Sequence, residues 1–207
     1  MKIDIDERES FLIEQAVEEI IKYKGKLETV LDIGAHVGVF TLKAIELGAK
    51  KVYAIEPTLD SYKKLINNII DNNLGGKIIP LPFAITNKDY EVRIIKHNGL
   101  PGQNSLYYKT GVEFLTSTIS FTTLLKLVGH IDYCKIDIEG AEWEIFNFED
   151  EELSGLIKNI GFLEIELHGI SAPEKTDEVK DNWPGMDRYL RKLFGEFGKR
   201  YHFNKIV

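Results

Sequence analysis

Three short stretches of the chain place acids and glycines at spacings suited to chemistry. The first runs Asp32-Ile33-Gly34-Ala35-His36-Val37-Gly38. Gly34 allows a tight turn, and Gly38 allows the next helical turn to come close to a ligand or to the sheet. Amides at the start of that helix favour polar or anionic ligand atoms. Asp32 narrows the choice of ligand, because a carboxylate here would repel the pyrophosphate of a dinucleotide. His36 also stands where the dinucleotide pattern G-x-G-x-x-G has its second glycine. S-adenosylmethionine has no phosphate, and a carboxylate attracts its sulfonium and its ammonium.

The second stretch ends on Glu56, where an acid can accept hydrogen bonds from the hydroxyls of a ribose. The plain alternative for Asp32 and Glu56 is a pair of solvated acids at strand ends. The third stretch, Asp137-Ile138-Glu139-Gly140-Ala141-Glu142, holds three acids. Asp137 is expected to orient a ligand, and Glu139 or Glu142 to act as a general base for a hydroxyl. The three-residue step puts Glu139 and Glu142 on one helix face if both are helical. Capping of a helix N-terminus is their alternative role. His168, after Glu166 at a strand end, is a further candidate for the acceptor side. Asp137 and Glu139 could instead hold magnesium, as in catechol-type methyltransferases, but the reading adopted contains no metal ligand.

These residues need a scaffold that brings strand ends together. An amphipathic helix is expected over Glu7–Lys24, with Phe11, Ala16, Val17, Ile20 and Ile21 as its apolar stripe. Strands are expected at Thr29–Ile33, Lys51–Glu56, Lys77–Phe83, Tyr90–Lys96, Ile131–Asp137 and Gly161–Leu167, with a last one near Tyr201–Val207. Helices are expected at Val39–Leu47, Leu59–Asn72, Phe121–Val128, from Ala141 onward and at Met186–Phe197. Pro80 and Pro82 weaken the third strand as a central one. Trp143, Phe146, Phe194 and Phe197 read as core. Asn104-Ser105 reads as part of a loop over the ligand. Strands alternating with helices imply a mostly parallel sheet with helices on both faces, and ligands gather at the carboxyl ends of such strands.

At these residues the sequence resembles the FkbM family of methyltransferases. The family's D-x-G-A-N-x-G-x-x-T is similar to Asp32–Thr41, its A-F-E-P to Ala54-Ile55-Glu56-Pro57, and its K-I-D-I/V-E-G-A/Y-E to Lys135–Glu142. The resemblance implies a Rossmann-like class I methyltransferase fold and S-adenosylmethionine as cofactor. It places Asp32, Gly34, Ala35, His36, Gly38, Glu56, Pro57 and Asp137 against that cofactor, with Ala84 and Ile85 near the adenine. It also implies methylation of oxygen, often on sugars or sugar-containing molecules. His36 replaces the family Asn, and the short region before the first motif leaves little for acceptor recognition.

Composition bounds the rest. A chain of 207 residues with 43% hydrophobic and 29% charged residues suits one globular domain, here 1–207 with 1–28 as an N-terminal helical extension. The net charge of −7 opposes a broad nucleic-acid surface, so the expected partner is a small-molecule or glycan acceptor. Cys134 is the single cysteine, which excludes an intrachain disulfide. No stretch has the length of a membrane span and the start does not resemble a signal peptide, so a cytoplasmic location is expected. The rival readings are an NAD-dependent oxidoreductase and a non-catalytic nucleoside-binding module. Acceptor identity and oligomeric state stay open.

Overall fold

The computed structural model describes residues 1–97, 104–106, 111–145, 151–168 and 200–206. A 3-10 turn at Glu7–Glu9 leads into α1 (Phe11–Lys22), β1 (Thr29–Ile33), α2 (Val39–Glu46), β2 (Lys51–Ile55), α3 (Leu59–Asp71) and β3 (Ile78–Leu81). There follow β4 (Phe83–Thr86), β5 (Val92–His97), β6 (Asn104–Ser105), β7 (Val112–Ser120) and α4 (Phe121–Val128). The described elements end with β8 (Ile131–Ile136), α5 (Glu142–Ile145), α6 (Glu151–Ile157), β9 (Ile160–His168) and β10 (Arg200–Ile206).

Six of these strands form one sheet in the order β10-β9-β8-β1-β2-β3, and every pairing in it is parallel. Alternate side chains divide its core between two faces. Leu31, Ile33, Cys134, Ile136, Leu163 and Ile165 belong to the core that includes α4 and α6 residues. Val30, Val52 and Tyr133 belong to the opposite core, with Ala16 and Ile20 of α1, Leu42 of α2 and Leu65 of α3. Both faces are therefore covered, as a parallel sheet requires.

On the second face the apolar pattern is broken in one row. Asp32, Lys135 and Glu164 are register partners on β1, β8 and β9, and all three are buried. This polar row runs from the candidate ligand turn into the interior beneath α1.

Three expectations need correction. The single strand read over Lys77–Phe83 is two strands in different sheets, because the chain changes sheet at Pro82. β3 stays on the edge of the main sheet, where Pro80 is tolerated, while β4 joins a second sheet of order β4-β7-β5-β6. Asn104-Ser105, read as part of a loop, forms the short strand β6. Beyond it β7 is a strand that the sequence reading did not expect, in which Phe114, Thr116 and Thr118 alternate with exposed Leu115 and Ser117. Finally, the first helix begins later than Glu7, and its stripe differs. Phe11 and Ile21 are more than half exposed, whereas Glu19 is buried beside Ala16 and Ile20. The helix expected at Met186–Phe197 lies outside the described residues, as do the side chains of Trp143, Phe146, Phe194 and Phe197.

Candidate active site

The site is built where β1, β2 and β8 end side by side. Asp32 is fully buried. Thr41, one turn into α2, donates its hydroxyl to Asp32 Oδ2 at 2.5 Å. Oδ1 is buried and has no hydrogen-bond partner among the described residues. Burial raises the Asp32 carboxyl to about 6, against the opposing pull of the Lys135 ammonium and the Thr41 hydroxyl.

The turn after Asp32 is fixed from both sides. The amides of Gly34 and Ala35 donate to the Ile55 carbonyl at 3.0 and 2.8 Å, and the Asp137 amide donates to the Ile33 carbonyl at 2.9 Å. Gly34 has φ 90°, and a Cβ there would lie 1.8 Å from the Asp137 carbonyl oxygen. Gly34 is thus required by the packing of two strand ends as well as by its own dihedral. Gly38 has φ 91°, and its Cβ would meet Leu65 Cδ1 at 2.5 Å.

His36 has φ 52°, a left-handed conformation uncommon for a residue with a side chain. Its amide donates to Glu56 Oε2 at 2.9 Å. Its Nε2 lies 3.6 Å from Oε1 of the buried Glu9, which the N-terminal segment brings over the turn. Glu56 is itself buried. Its Oε1 accepts from the Thr58 amide at 2.9 Å and also from the Thr58 hydroxyl. Burial raises its carboxyl, while the donors from Thr58 and His36 oppose the rise. These bonds occupy three of the roughly four lone-pair positions of a carboxylate, with one left on Oε2. Pro57 follows directly and is half-buried, while Ala84 and Ile85 are buried on β4.

At the end of β8, Lys135 donates its ammonium to Asp137 Oδ2 at 2.8 Å. Glu139 is not helical. Its φ of 53° places it in the turn before α5, so Glu139 and Glu142 do not share a helix face, a correction to the expected arrangement. Ser105 of the second sheet donates to the Glu139 carbonyl at 2.5 Å. Glu142 is fully buried, and its two oxygens accept from the amides of Ile138 at 3.0 Å and Gly140 at 2.9 Å. Glu144 makes a two-point ion pair with Arg93 of β5, at 3.1 and 3.3 Å. The second sheet therefore abuts the acidic turn through Ser105 and Arg93. His168 ends β9, and its side chain lies outside the described residues. Among those residues no group of three or more His, Cys, Asp or Glu is placed to hold a metal ion.

Asp32, the Gly34 turn, Glu56 and Asp137 thus meet, while Ile85, on the strand after Pro82, belongs to the core that includes Ile33 and Ile55. Sequence reasoning assigned no role to Thr41 or Lys135, although both lie inside the quoted motifs. It also passed over Glu9, Thr58 and Asn68, which no motif marks.

A covered parallel sheet with this cradle at its strand ends is the Rossmann-like fold of the class I methyltransferases. Residues 32–201 match the family model described as the methyltransferase FkbM domain, and the chain belongs to that family. No curated protein sequence matches it. Among solved structures, the chain is similar to the methyltransferase FkbM of Methylobacillus flagellatus KT at 17% identity, covering 63% of this chain and 30% of that one, with a TM-score of 0.40. Similarity to Methanocaldococcus jannaschii Trm5 in complex with adenosine covers 39% and 24% of the two chains at 30% identity, with a TM-score of 0.30. For M. capricolum TrmK in complex with S-adenosyl-homocysteine the values are 69% and 48% at 17% identity, with a TM-score of 0.39. The chain spans less than two thirds of the length of each of these structures.

No helix among the described residues is long and apolar enough to cross a membrane.

Proposed function

We propose that the chain transfers the methyl group of S-adenosylmethionine to a hydroxyl oxygen of a small-molecule or sugar-containing acceptor. The observation that carries the cofactor assignment is the orphaned Asp32 Oδ1 at the end of β1. A buried carboxylate oxygen without a donor is costly, and a cationic ligand at the Gly34 turn answers that cost. A phosphate there would add to it. When bound, the cofactor supplies a sulfonium-activated methyl group.

The chain's own residues do the rest. The Gly34–Gly38 turn holds the amino-acid end of the ligand, and Glu56 accepts from a ribose hydroxyl through its remaining lone pair. Thr58 can release its hydroxyl from Glu56 to make room for a second. Ala84 and Ile85 border the base. Asp137 orients the reacting groups, and Glu139 receives the proton that the acceptor hydroxyl must lose. Glu142, with both oxygens turned to its own backbone, braces that turn. His168 is retained as a contact on the acceptor side, together with the region around Ser105. Alignment in such a site supplies much of the acceleration, because positioned reactants reach effective molarities on the order of 10⁵ M or more.

Calorimetric titration with S-adenosylmethionine, S-adenosylhomocysteine and NADH, repeated on Glu56→Ala, tests this reading. Binding of the adenosyl ligands alone, weakened by the substitution, supports it. Tight binding of NADH alone would restore an oxidoreductase.

A further inference from the structure

Lys135 is the one buried Lys or Arg among the described residues, and acids surround it. Asp137 Oδ2 accepts a hydrogen bond from it at 2.8 Å, and Asp32 and Glu164 flank it in register on β1 and β9. The Phe40 ring lies 5.7 Å from its nitrogen. Burial by itself would lower the Lys135 ammonium, but Asp137, buried Glu19 and Asp32 outweigh it and hold it above its ordinary value. A positive charge therefore lies beside the two carboxylates assigned to the proposed ligand.

We propose that Lys135 is a positioning residue whose charge offsets Asp32 and Asp137, limiting how strongly the site prefers a cationic adenosyl ligand over its neutral thioether product. The inference rests on the cofactor assignment above. In the transfer the methyl–sulfur bond breaks and its electron pair stays on sulfur. The methyl carbon bonds to the acceptor oxygen, whose proton passes to the base, so the sulfonium ends as a neutral thioether. Two uncompensated carboxylates would stabilise the starting cation more than the transition state, where that charge is already leaving. Such binding deepens the ground state and slows the step. The ammonium of Lys135 holds one carboxylate to itself and subtracts from the field felt at sulfur.

The test compares S-adenosylmethionine with S-adenosylhomocysteine, which differ only in the methyl group and the sulfonium charge. Calorimetric Kd values for both are measured on wild type, Lys135→Met and Lys135→Arg. Removing the charge is expected to raise the preference for the cationic ligand by about tenfold or more, the scale of one unit charge within several ångströms in a partly buried site. Lys135→Arg is expected to keep the wild-type ratio. Asp137→Asn should lower the ratio, a second arm that stands if Lys135→Met does not fold. A folded Lys135→Met with an unchanged ratio, or an Asp137→Asn with an unchanged one, overturns the proposal. Failure of wild type to bind either ligand instead overturns the cofactor reading beneath it.

Discussion

Asn68 and Val37 are joined across the back of the ligand turn. From α3, the Asn68 amide donates to the Val37 carbonyl at 2.8 Å and to the Asp4 carbonyl at 3.2 Å, while its own carbonyl accepts from the Asp4 amide at 2.7 Å. One buried side chain thus ties the N-terminal segment to the turn. Its neighbour one helical turn on, Asn72, pairs with the backbone of Lys2 in the same way. Together with the Glu9–His36 contact, these bonds tie Lys2 and Asp4 to α3 and Glu9 to the turn.

Asn68→Ala is therefore expected to weaken binding of S-adenosylhomocysteine about fivefold or more and to cost about 1–3 kcal/mol of stability. The stability cost follows because the substitution strips a partner from the Val37 and Asp4 groups. Calorimetry and urea unfolding measure the two effects. Asn68→Leu should be no better, since it fills the volume but restores no donor. Unchanged ligand affinity in a destabilised Asn68→Ala would confine the residue to a structural role.

A Cβ at Gly34 would collide with backbone, the Asp137 carbonyl oxygen at 1.8 Å, and the position also has φ 90°. Neither obstacle can be relieved by a side-chain movement. Gly34→Ala is expected to destabilise the protein by more than about 4 kcal/mol, the range reserved for such mechanisms. It should appear as loss of soluble, cooperatively unfolding protein. Gly76→Ala is the control, because a Cβ there meets nothing within 4 Å.

Much of this was legible in the sequence, and the reasons differ by element. Asp32, Glu56 and Asp137 lie at or just past the ends of β1, β2 and β8, where the apolar runs stop, and an apolar run bounded by turn residues is a strong strand signal. The second sheet was hard to read because β7 pairs with β5 across a long stretch of intervening chain, and its Phe114-Thr116-Thr118 face is mostly threonine while apolar Leu115 lies exposed on the other. Pro82 was visible, but nothing local says that a proline redirects the chain into another sheet. The roles of Lys135 and Glu19 were hidden because a charged residue in a strand or on a helix stripe reads as exposed. Only the register of three strands reveals that Lys135 sits between Asp32 and Glu164 in the interior, and only the packing of α1 brings buried Glu19 close enough to act on the Lys135 ammonium. The left-handed backbone at Glu139 likewise broke the helical spacing with Glu142, and no residue type announces it.

Asp32 supplies a pH dependence of binding. Its carboxyl is raised to about 6, so acidification through that value protonates it and removes its attraction for a cationic ligand. Affinity for S-adenosylmethionine is expected to hold above pH 7 and to fall below pH 6 by up to about tenfold per unit. Binding near pH 6 should release protons, seen as a calorimetric enthalpy that varies with the buffer's ionisation enthalpy. Asp32→Asn should bind weakly at all these pH values and release none from this group. A flat pH profile in wild type would separate Asp32 from the ligand.

Glu139 and Glu142 can be told apart by which property each substitution moves. Glu142→Gln disturbs an acceptor for the Ile138 and Gly140 amides, so stability and turnover should fall together, the former by about 1–3 kcal/mol. Glu139→Gln should lower kcat about 100-fold or more, the scale of a general base, with Tm and cofactor Kd close to wild type. Full turnover in Glu139→Gln at saturating cofactor would remove it as the base and leave Asp137 or His168.

Glu164 sets a stability profile that opposes the usual acid lability. It accepts from the Tyr133 hydroxyl in the interior, and burial, with Glu19 nearby, raises its carboxyl from 4.5 to about 8. A carboxyl raised on folding binds its proton more tightly in the native state, so stability is fullest below the unfolded value and is lost as pH rises through the folded one. Tm is therefore expected to decline between pH 4.5 and about 8, with Asp32 adding the same sign between 3.8 and about 6. Glu164→Gln cannot ionise, so it should flatten the upper part of that slope and leave the lower part due to Asp32. The mutant should then be the more stable protein at pH 9 and lose that advantage near pH 5. Thermal unfolding across this range checks the sign directly. A wild-type Tm that rises from pH 5 to 9 would mean that the Glu164 carboxyl is ionised in the folded protein and held by a cation instead.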